Sequence, residues 1–152
     1  MTTETDLKVV KEIEVGRSAA DAFRIFTEEI TAWWPLATHS IYEEDAVTAT
    51  IEPRAGGRIS ERTADGREAD WGAVTVWDPP SRFAVTWKPN LDDDAPWTAW
   101  SVSFDVLAPD RTRVTLTHTG WEAHGDRAAE VCAQYESGWN PVLASFAAQT
   151  AP

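Results

Sequence analysis

The chain has 152 residues, which suits one domain, since a domain of this size buries roughly 70% of the surface that its unfolded chain exposes. Its composition is 43% hydrophobic with nine Trp, five Phe and two Tyr, which argues against a disordered chain. The formal net charge of −12 repels phosphate backbones and anionic lipid surfaces, so nucleic acid is excluded as an expected partner.

Cysteine content and the start of the chain indicate the compartment. The single cysteine, Cys132, cannot form an internal disulfide, and the acidic, polar segment 1–6 differs from the basic and then apolar plan of a secretion signal. The apolar stretches are far shorter than the ~20 residues that cross a bilayer. We therefore expect a soluble cytoplasmic protein without a membrane span.

The first third of the chain predicts a strand followed by two helices. Lys8 to Val15 alternates between apolar and charged residues, as a half-buried strand does. Ser18 is a candidate N-cap for a helix over 19–26, where apolar residues recur at helical spacing. A second helical piece over 28–34 should end before Pro35, because the residue before a proline avoids helical geometry.

The middle of the chain alternates with period two and predicts six more strands. These strands are Val47 to Glu52, Arg58 to Thr63, Glu68 to Trp77, Arg82 to Lys88, Trp97 to Leu107 and Arg111 to Thr119. The short connections are rich in Gly, Pro, Asp and Asn, which favour turns. Short turns between successive strands predict an antiparallel meander.

The last segment returns to helical spacing. From Ala128 to Phe146 apolar residues form one broad stripe, which predicts a long helix with one buried face. Pro141 removes a backbone hydrogen bond, so we expect a bend or an interruption near residues 137–140, where Gly138 already weakens the helix. The whole chain, 1–152, is thus a single domain with its core at about 8–148.

Local motifs support a resemblance to a known family. They are Pro53-Arg54-Ala55-Gly56-Gly57-Arg58, the run from Gly72 to Phe83, Val85-Thr86-Trp87, the run from Thr112 to Trp121, and Gly138-Trp139. With this element order, the chain resembles the activator of heat-shock-protein-90 ATPase homologue-like (AHSA-like) family of the SRPBCC/START superfamily, from about Val9 to Phe146. The resemblance implies an α+β helix-grip fold (START/Bet-v-like), β-α-α-β6-α, in which a curved seven-stranded antiparallel sheet wraps a long C-terminal helix.

The same resemblance implies a range of functions, because its motifs concern turns and packing. Members of the superfamily enclose a cavity between sheet and helix that takes lipids, polyketides, hormones or other apolar ligands, and some are cyclases or aromatases. The family name also implies a co-chaperone role, with a protein partner or a homodimer. The eukaryotic co-chaperone carries a separate N-terminal domain that this sequence does not show, which argues against ATPase activation here.

The period-two pattern predicts which side chains share the concave face of the sheet and so line a ligand cavity with the last helix. The predicted ligand-binding residues are Ile59, Glu61, Val74, Val76, Phe83, Val85, Trp87, Trp100, Val102, Phe104, Leu116, His118, Tyr135 and Trp139. A register error of one residue would bring in Trp71, Ala73 and Trp77 instead.

Two polar residues of this set are candidates for acid–base chemistry. Glu61, on an otherwise apolar face, needs a partner or a raised pKa, and the alternative is a salt bridge with a strand arginine or exposure at the sheet edge. His118 could orient a ligand or transfer a proton, and the alternative is a hydrogen-bonded structural histidine. The favoured hypothesis is binding of an apolar ligand in the cavity. The alternatives are a cyclase or hydrolase using Glu61 or His118, and a protein-interaction domain.

Metal binding and catalysis by a cysteine thiol have weaker support in the sequence. His118, Glu122 and His124 lack the spacing of a metal site, and Cys132 falls on the buried stripe of the last helix, so we expect no metal, no cofactor and no nucleophilic thiol. Trp34, Trp97 and Trp121 lie near turns or element ends, where an amphipathic ring can line the mouth of a pocket.

Overall fold

The computed structural model describes residues 7–151, and its elements follow the predicted order. The strands are β1 (Val9–Val15), β2 (Ala46–Ile51), β3 (Arg58–Thr63), β4 (Glu68–Asp78), β5 (Arg82–Trp87), β6 (Thr98–Ala108) and β7 (Arg111–Thr119). The helices are α1 (Ala19–Glu28), α2 (Ile30–Trp33) and α3 (Ala128–Gln149), with short 3-10 segments over Glu43–Asp45 and Trp121–Arg127. The segment 1–6, on which the argument against a secretion signal rests, lies outside the described residues.

All seven strands form one antiparallel sheet in the order β1-β7-β6-β5-β4-β3-β2. Strands β2 to β7 are sequential neighbours, because short turns allow only antiparallel pairing, and β1 joins beside β7. The sheet curves around α3. This arrangement is the predicted α+β helix-grip fold, and that prediction is confirmed.

The helix ends follow local chemistry in part. Ser18 caps α1, since its Oγ accepts a hydrogen bond from the Asp21 backbone N–H at 3.1 Å. Helix α2 ends at Trp33, ahead of Pro35, as predicted.

Helix α3, however, continues through Pro141 without an interruption. Buried residues on both sides of the proline, including Trp139 and Phe146, hold the helix against the sheet, and tertiary packing outweighs one lost hydrogen bond. Across residues 7–151 no helix has the length and apolarity needed to cross a bilayer.

A β-bulge corrects one residue of the predicted concave face. The register between β4 and β5 shifts between Val74 and Val76, so that Val76 lies opposite Ala84 and Trp77 lies opposite Phe83. Trp77 therefore packs inward, with its ring 5.0 Å from that of Phe23. Val76 points to the other face, and its assignment to the concave surface was wrong, because one extra residue exchanges the faces of a strand.

Most of the space between sheet and helices is filled by aromatic side chains. Phe26, on α1, lies 4.8 Å from Phe146 of α3 and 5.5 Å from Phe83 of β5 (ring centroids). Trp100, on β6, lies 5.2 Å from Trp139 of α3. Such contacts bury large apolar areas and join α1 and α3 to the sheet. Side chains therefore fill the space between sheet and helices near the start of β5, and a cavity lies near the end of β5.

Candidate functional site

A cavity of about 260 Å³ opens where β5 ends, between the middle of α3 and the loop that follows α2. This volume is slightly below the range of about 300–1,000 Å³ that is typical of small-molecule sites. Its walls are formed by Trp34, Thr38, His39, Ser40, Trp87, Pro89, Gln134, Tyr135, Gly138, Trp139 and Val142. Gly138 leaves part of the space open, because a Cβ built there would meet no atom within 4 Å.

The indole N–H groups of the three lining tryptophans are already paired. Trp34 donates to the His39 backbone oxygen at 2.8 Å, Trp87 to the Tyr135 hydroxyl at 3.2 Å, and Trp139 to Nδ1 of His118 at 3.0 Å. These bonds fix the ring orientations and turn apolar ring surface toward the cavity. The walls are thus rigid and mostly apolar.

His118 lies directly behind this wall and is fully buried. Its Nδ1 accepts from Trp139, so the proton must sit on Nε2, which lies 2.7 Å from the Thr98 hydroxyl. Thr98 in turn donates to the Trp87 backbone oxygen at 3.5 Å. The imidazole ring also packs on Trp121, with 4.3 Å between ring centroids.

This environment keeps His118 neutral. Burial, reinforced by the nearby His124, lowers the pKa of His118 from its usual 6.5 to about 3. Both ring nitrogens are engaged with protein groups, so the imidazole has no free lone pair for a ligand. The residue orients Trp139 and Thr98, and the geometry matches the structural alternative for this histidine.

Glu61 is buried as well, with 1% of its surface exposed, but it is not among the residues that line the cavity. Its Oε1 accepts hydrogen bonds from the Ile41 backbone N–H and from Nε1 of Trp71, both at 2.5 Å, and its Oε2 accepts from the Tyr42 N–H at 3.0 Å. Neither expected alternative, a salt bridge or exposure at the edge, applies. The carboxylate instead anchors the loop after α2 to the sheet.

The structure brings only three of the fourteen predicted ligand-binding residues to the cavity wall: Trp87, Tyr135 and Trp139. Most of the others are buried in the core between sheet and helices, namely Ile59, Val74, Phe83, Val85, Trp100, Val102, Phe104 and Leu116. His118 is buried beside the cavity, and Glu61 is buried under the loop that follows α2. Val76 lies on the outer face of the sheet.

Sequence reasoning missed the loop residues Thr38, His39 and Ser40, Pro89 just after β5, and the helix residues Gln134 and Gly138. Loop residues carry no periodic signal, so their position could not be deduced from pattern. Trp34 does line the cavity mouth, as its place at a helix end suggested. Trp121 does not, because it is fully buried on His118, and Trp97 is 49% exposed in a loop.

A metal-ligand cluster or a reactive cysteine would be a further candidate site. In the described part of the chain no three His, Cys, Asp or Glu side chains cluster as metal ligands would. Cys132 is buried on α3, and burial raises the pKa of its thiol, which keeps it in the unreactive form.

Comparisons with known proteins agree with this architecture. A family model described as "Activator of Hsp90 ATPase homolog 1-like protein" matches residues 17–150. No curated protein sequence matches the chain closely enough to be called a relative. One solved structure, the anthrahydroquino-γ-pyrone synthase Txn09 complexed with SUM, is 33% identical over 96% of this chain and 98% of its own, with a TM-score of 0.63.

Two further solved structures are described as Aha1 and as an HSP90 activator. The Aha1 dimer from Colwellia psychrerythraea is 19% identical over 94% of this chain and 95% of its own, with a TM-score of 0.64. An HSP90 activator from Plasmodium falciparum is 19% identical over 88% of each chain, with a TM-score of 0.62. At this identity the likeness is one of fold.

Proposed function

Because the chain belongs to the Activator of Hsp90 ATPase homolog 1-like family, in which fold alone does not fix activity, we propose that it binds an apolar, aromatic small molecule in its cavity. The observation that carries this proposal is the cavity of about 260 Å³ walled by Trp34, Trp87, Trp139 and Tyr135. Aromatic walls with few polar groups are typical of sites for small molecules.

The lining chemistry defines the class of ligand. Among its eleven residues there is no Lys, Arg, Asp or Glu, so a charged ligand would lack a counter-ion. Rings such as Trp87 and Trp139 present flat apolar surface to a flat apolar partner, which favours edge-to-face or offset contacts. A polyketide-like or other aromatic ligand fits this environment. A lipid chain has no aromatic ring that could pack against these tryptophans.

A second candidate is an enzyme of the synthase kind that acts on an aromatic ligand in the same cavity. The 33% identity with the synthase Txn09, over nearly the full length of both chains, favours it. The carboxylate of Glu61 and the imidazole of His118 are already hydrogen-bonded to protein groups and do not line the cavity. The titratable side chains that do line it are Tyr135 and His39. A proton transfer in such an enzyme would involve one of these two.

A co-chaperone role, with a protein partner or a homodimer, has less support. It rests on the family name and on neighbours of 19% identity, and the cavity plays no part in it.

Filling the cavity provides a direct test of ligand binding. The Gly138→Leu substitution places a side chain in the open space beside α3, where no atom lies within 4 Å of the added Cβ. We expect the affinity for tetralin, a small aromatic hydrocarbon, to fall at least about tenfold, while thermal stability rises slightly, since Leu exceeds Gly in helix propensity by roughly 0.5–1 kcal/mol. NMR titration of the indole N–H signals measures binding, and calorimetry measures the melting temperature.

The matched control is Ser137→Leu, one residue earlier on α3 and exposed, which should leave tetralin binding unchanged. Equal affinities for the wild type and Gly138→Leu would contradict binding in this cavity. Native mass spectrometry of the protein purified from its source then separates the two candidates. A retained molecule that keeps its mass on incubation indicates a carrier, and conversion of that molecule indicates an enzyme.

A further inference from the structure

Tyr135 has a hydrogen-bond donor that the protein itself does not use. Its hydroxyl oxygen, on the cavity wall, accepts the indole N–H of Trp87 at 3.2 Å. A phenol donates one hydrogen bond as well as accepting, yet within residues 7–151 no group accepts the Tyr135 hydrogen. The bond from Trp87 fixes the oxygen in place, so the O–H is free to turn toward a ligand.

The other polar groups of the wall are mostly committed. The Ser40 hydroxyl donates to the Leu36 backbone oxygen at 2.6 Å, and the Thr38 hydroxyl pairs with Nδ1 of His39 at 2.7 Å. Gln134 is exposed at the rim. Within residues 7–151, Nε2 of His39 and the Tyr135 hydroxyl hydrogen are thus the half-buried polar groups of the wall without a partner, and of the two only the Tyr135 oxygen is held by a wall tryptophan, Trp87.

Burial also keeps this donor in its protonated form. It raises the pKa of Tyr135 above its usual value of 10, and the hydrogen bond from Trp87 only partly opposes the change. With no Lys or Arg in the lining and a net charge of −12 on the chain, an anionic ligand would lack a permanent counter-charge.

We propose that the cavity selects aromatic ligands bearing a neutral hydrogen-bond acceptor, a ring ketone or quinone carbonyl, and that Tyr135 donates its hydroxyl hydrogen to that oxygen. This inference rests on the proposed function and names the chemistry of the ligand. A buried carbonyl without a partner is costly, so one donor in an apolar cavity decides between a ketone and the corresponding hydrocarbon. Tyr135 is in this sense a specificity-determining residue.

The test compares two ligands of nearly identical shape, tetralin and 1-tetralone, which differ by one CH₂ replaced by C=O. Dissociation constants are measured by NMR titration for the wild type and for Tyr135→Phe. The substitution should raise the dissociation constant of 1-tetralone about tenfold, because the ligand carbonyl is left buried and without a hydrogen-bond donor. Tetralin should change less than about twofold, since the aromatic ring of residue 135 remains.

Several outcomes would overturn the inference. If Tyr135→Phe lowered the affinity for both ligands equally, Tyr135 would have a packing role only. If the affinity for neither ligand fell, the Tyr135 hydroxyl would not contact the ligand. If 1-naphthoate bound the wild type more tightly than 1-tetralone, the cavity would select anions instead. Failure of tetralin itself to bind the wild type would count against the proposed function, whereas tetralin binding with no effect of Tyr135→Phe would count against this inference alone.

An infrared measurement tests the same contact without any substitution. The C=O stretch of 1-tetralone bound to the wild type should lie at lower frequency than in an alkane solvent, because a donated hydrogen bond weakens the carbonyl. A bound frequency equal to the alkane value would exclude the bond, even if Tyr135→Phe proved unstable.

Discussion

Mild acid is expected to destabilise this protein through one residue, His118. The free energy of unfolding should fall by about 2 kcal/mol between pH 8 and pH 5, because the pKa of His118 is about 3 in the folded chain and near 6.5 in the unfolded chain. Below pH 6.5 the unfolded state binds a proton at this residue that the folded state does not. The stability from neutral His118 is therefore complete above pH 6.5 and is lost as the pH falls toward 3.

Chemical denaturation at pH 8, 6.5 and 5 measures this dependence, and the range stops at pH 5 to limit the contribution of carboxylates. In the His118→Gln variant the free energy of unfolding should hardly change between pH 8 and pH 5, since an amide does not titrate. It should also be less stable at pH 8 by roughly 1–3 kcal/mol, because an amide cannot reproduce both hydrogen bonds and the packing against Trp121.

The control is His39→Gln, at a half-buried position on the rim of the cavity, which should keep the wild-type fall between pH 8 and pH 5. If His118→Gln showed the same slope as the wild type, the assignment of a neutral, buried imidazole would be wrong. A pH-independent wild type would lead to the same conclusion.

Replacing Glu61 should affect stability far more than ligand binding. Glu61→Gln keeps the size of the side chain but replaces one acceptor oxygen by an NH₂ group that faces the N–H donors of Ile41, Tyr42 or Trp71. We expect the free energy of unfolding to fall by about 3 kcal/mol, since buried hydrogen bonds to a charged group are stronger than neutral ones. Urea denaturation at pH 7.5 measures the change.

Glu68→Gln, at an exposed position of the neighbouring strand, is the matched control and should change stability by less than about 0.5 kcal/mol. Tetralin affinity of Glu61→Gln, measured well below its melting temperature, should stay within about threefold of the wild type, because the carboxylate does not touch the cavity lined by Trp87 and Tyr135. A large loss of affinity with unchanged stability would instead make Glu61 a ligand-binding residue.

Much of the fold follows from local sequence. Alternation along Arg58 to Thr63 and Arg111 to Thr119 predicted strands that the structure reproduces with identical bounds. Period-two burial and turn residues act over a few neighbours, so they are readable without coordinates. The bulge between Val74 and Val76 is different, because it depends on how β4 pairs with β5, and it reversed the face assigned to Val76.

The candidate site was far less predictable than the fold. Alternation correctly placed residues such as Phe83 and Val102 inward, but Phe23 and Phe26 of α1 fill the space beside Phe83. Whether an inward side chain meets a cavity or another side chain depends on close packing between distant segments. The loop residues Thr38 to Ser40 lie at the cavity beside Ile41 and Tyr42, which Glu61 anchors to the sheet from 20 and 19 positions away in the chain.

The sequence by itself therefore determined the element order, the antiparallel sheet, the amphipathic final helix and the family resemblance, since each depends on residues close together in the chain. The tertiary structure alone decided where free space remains and that His118 is held neutral between Trp139 and Thr98. It also decided that the Tyr135 hydroxyl hydrogen has no acceptor within residues 7–151. These features arise from contacts between residues 20 to 48 positions apart, whose geometry is set by packing of the whole domain and not by local pattern.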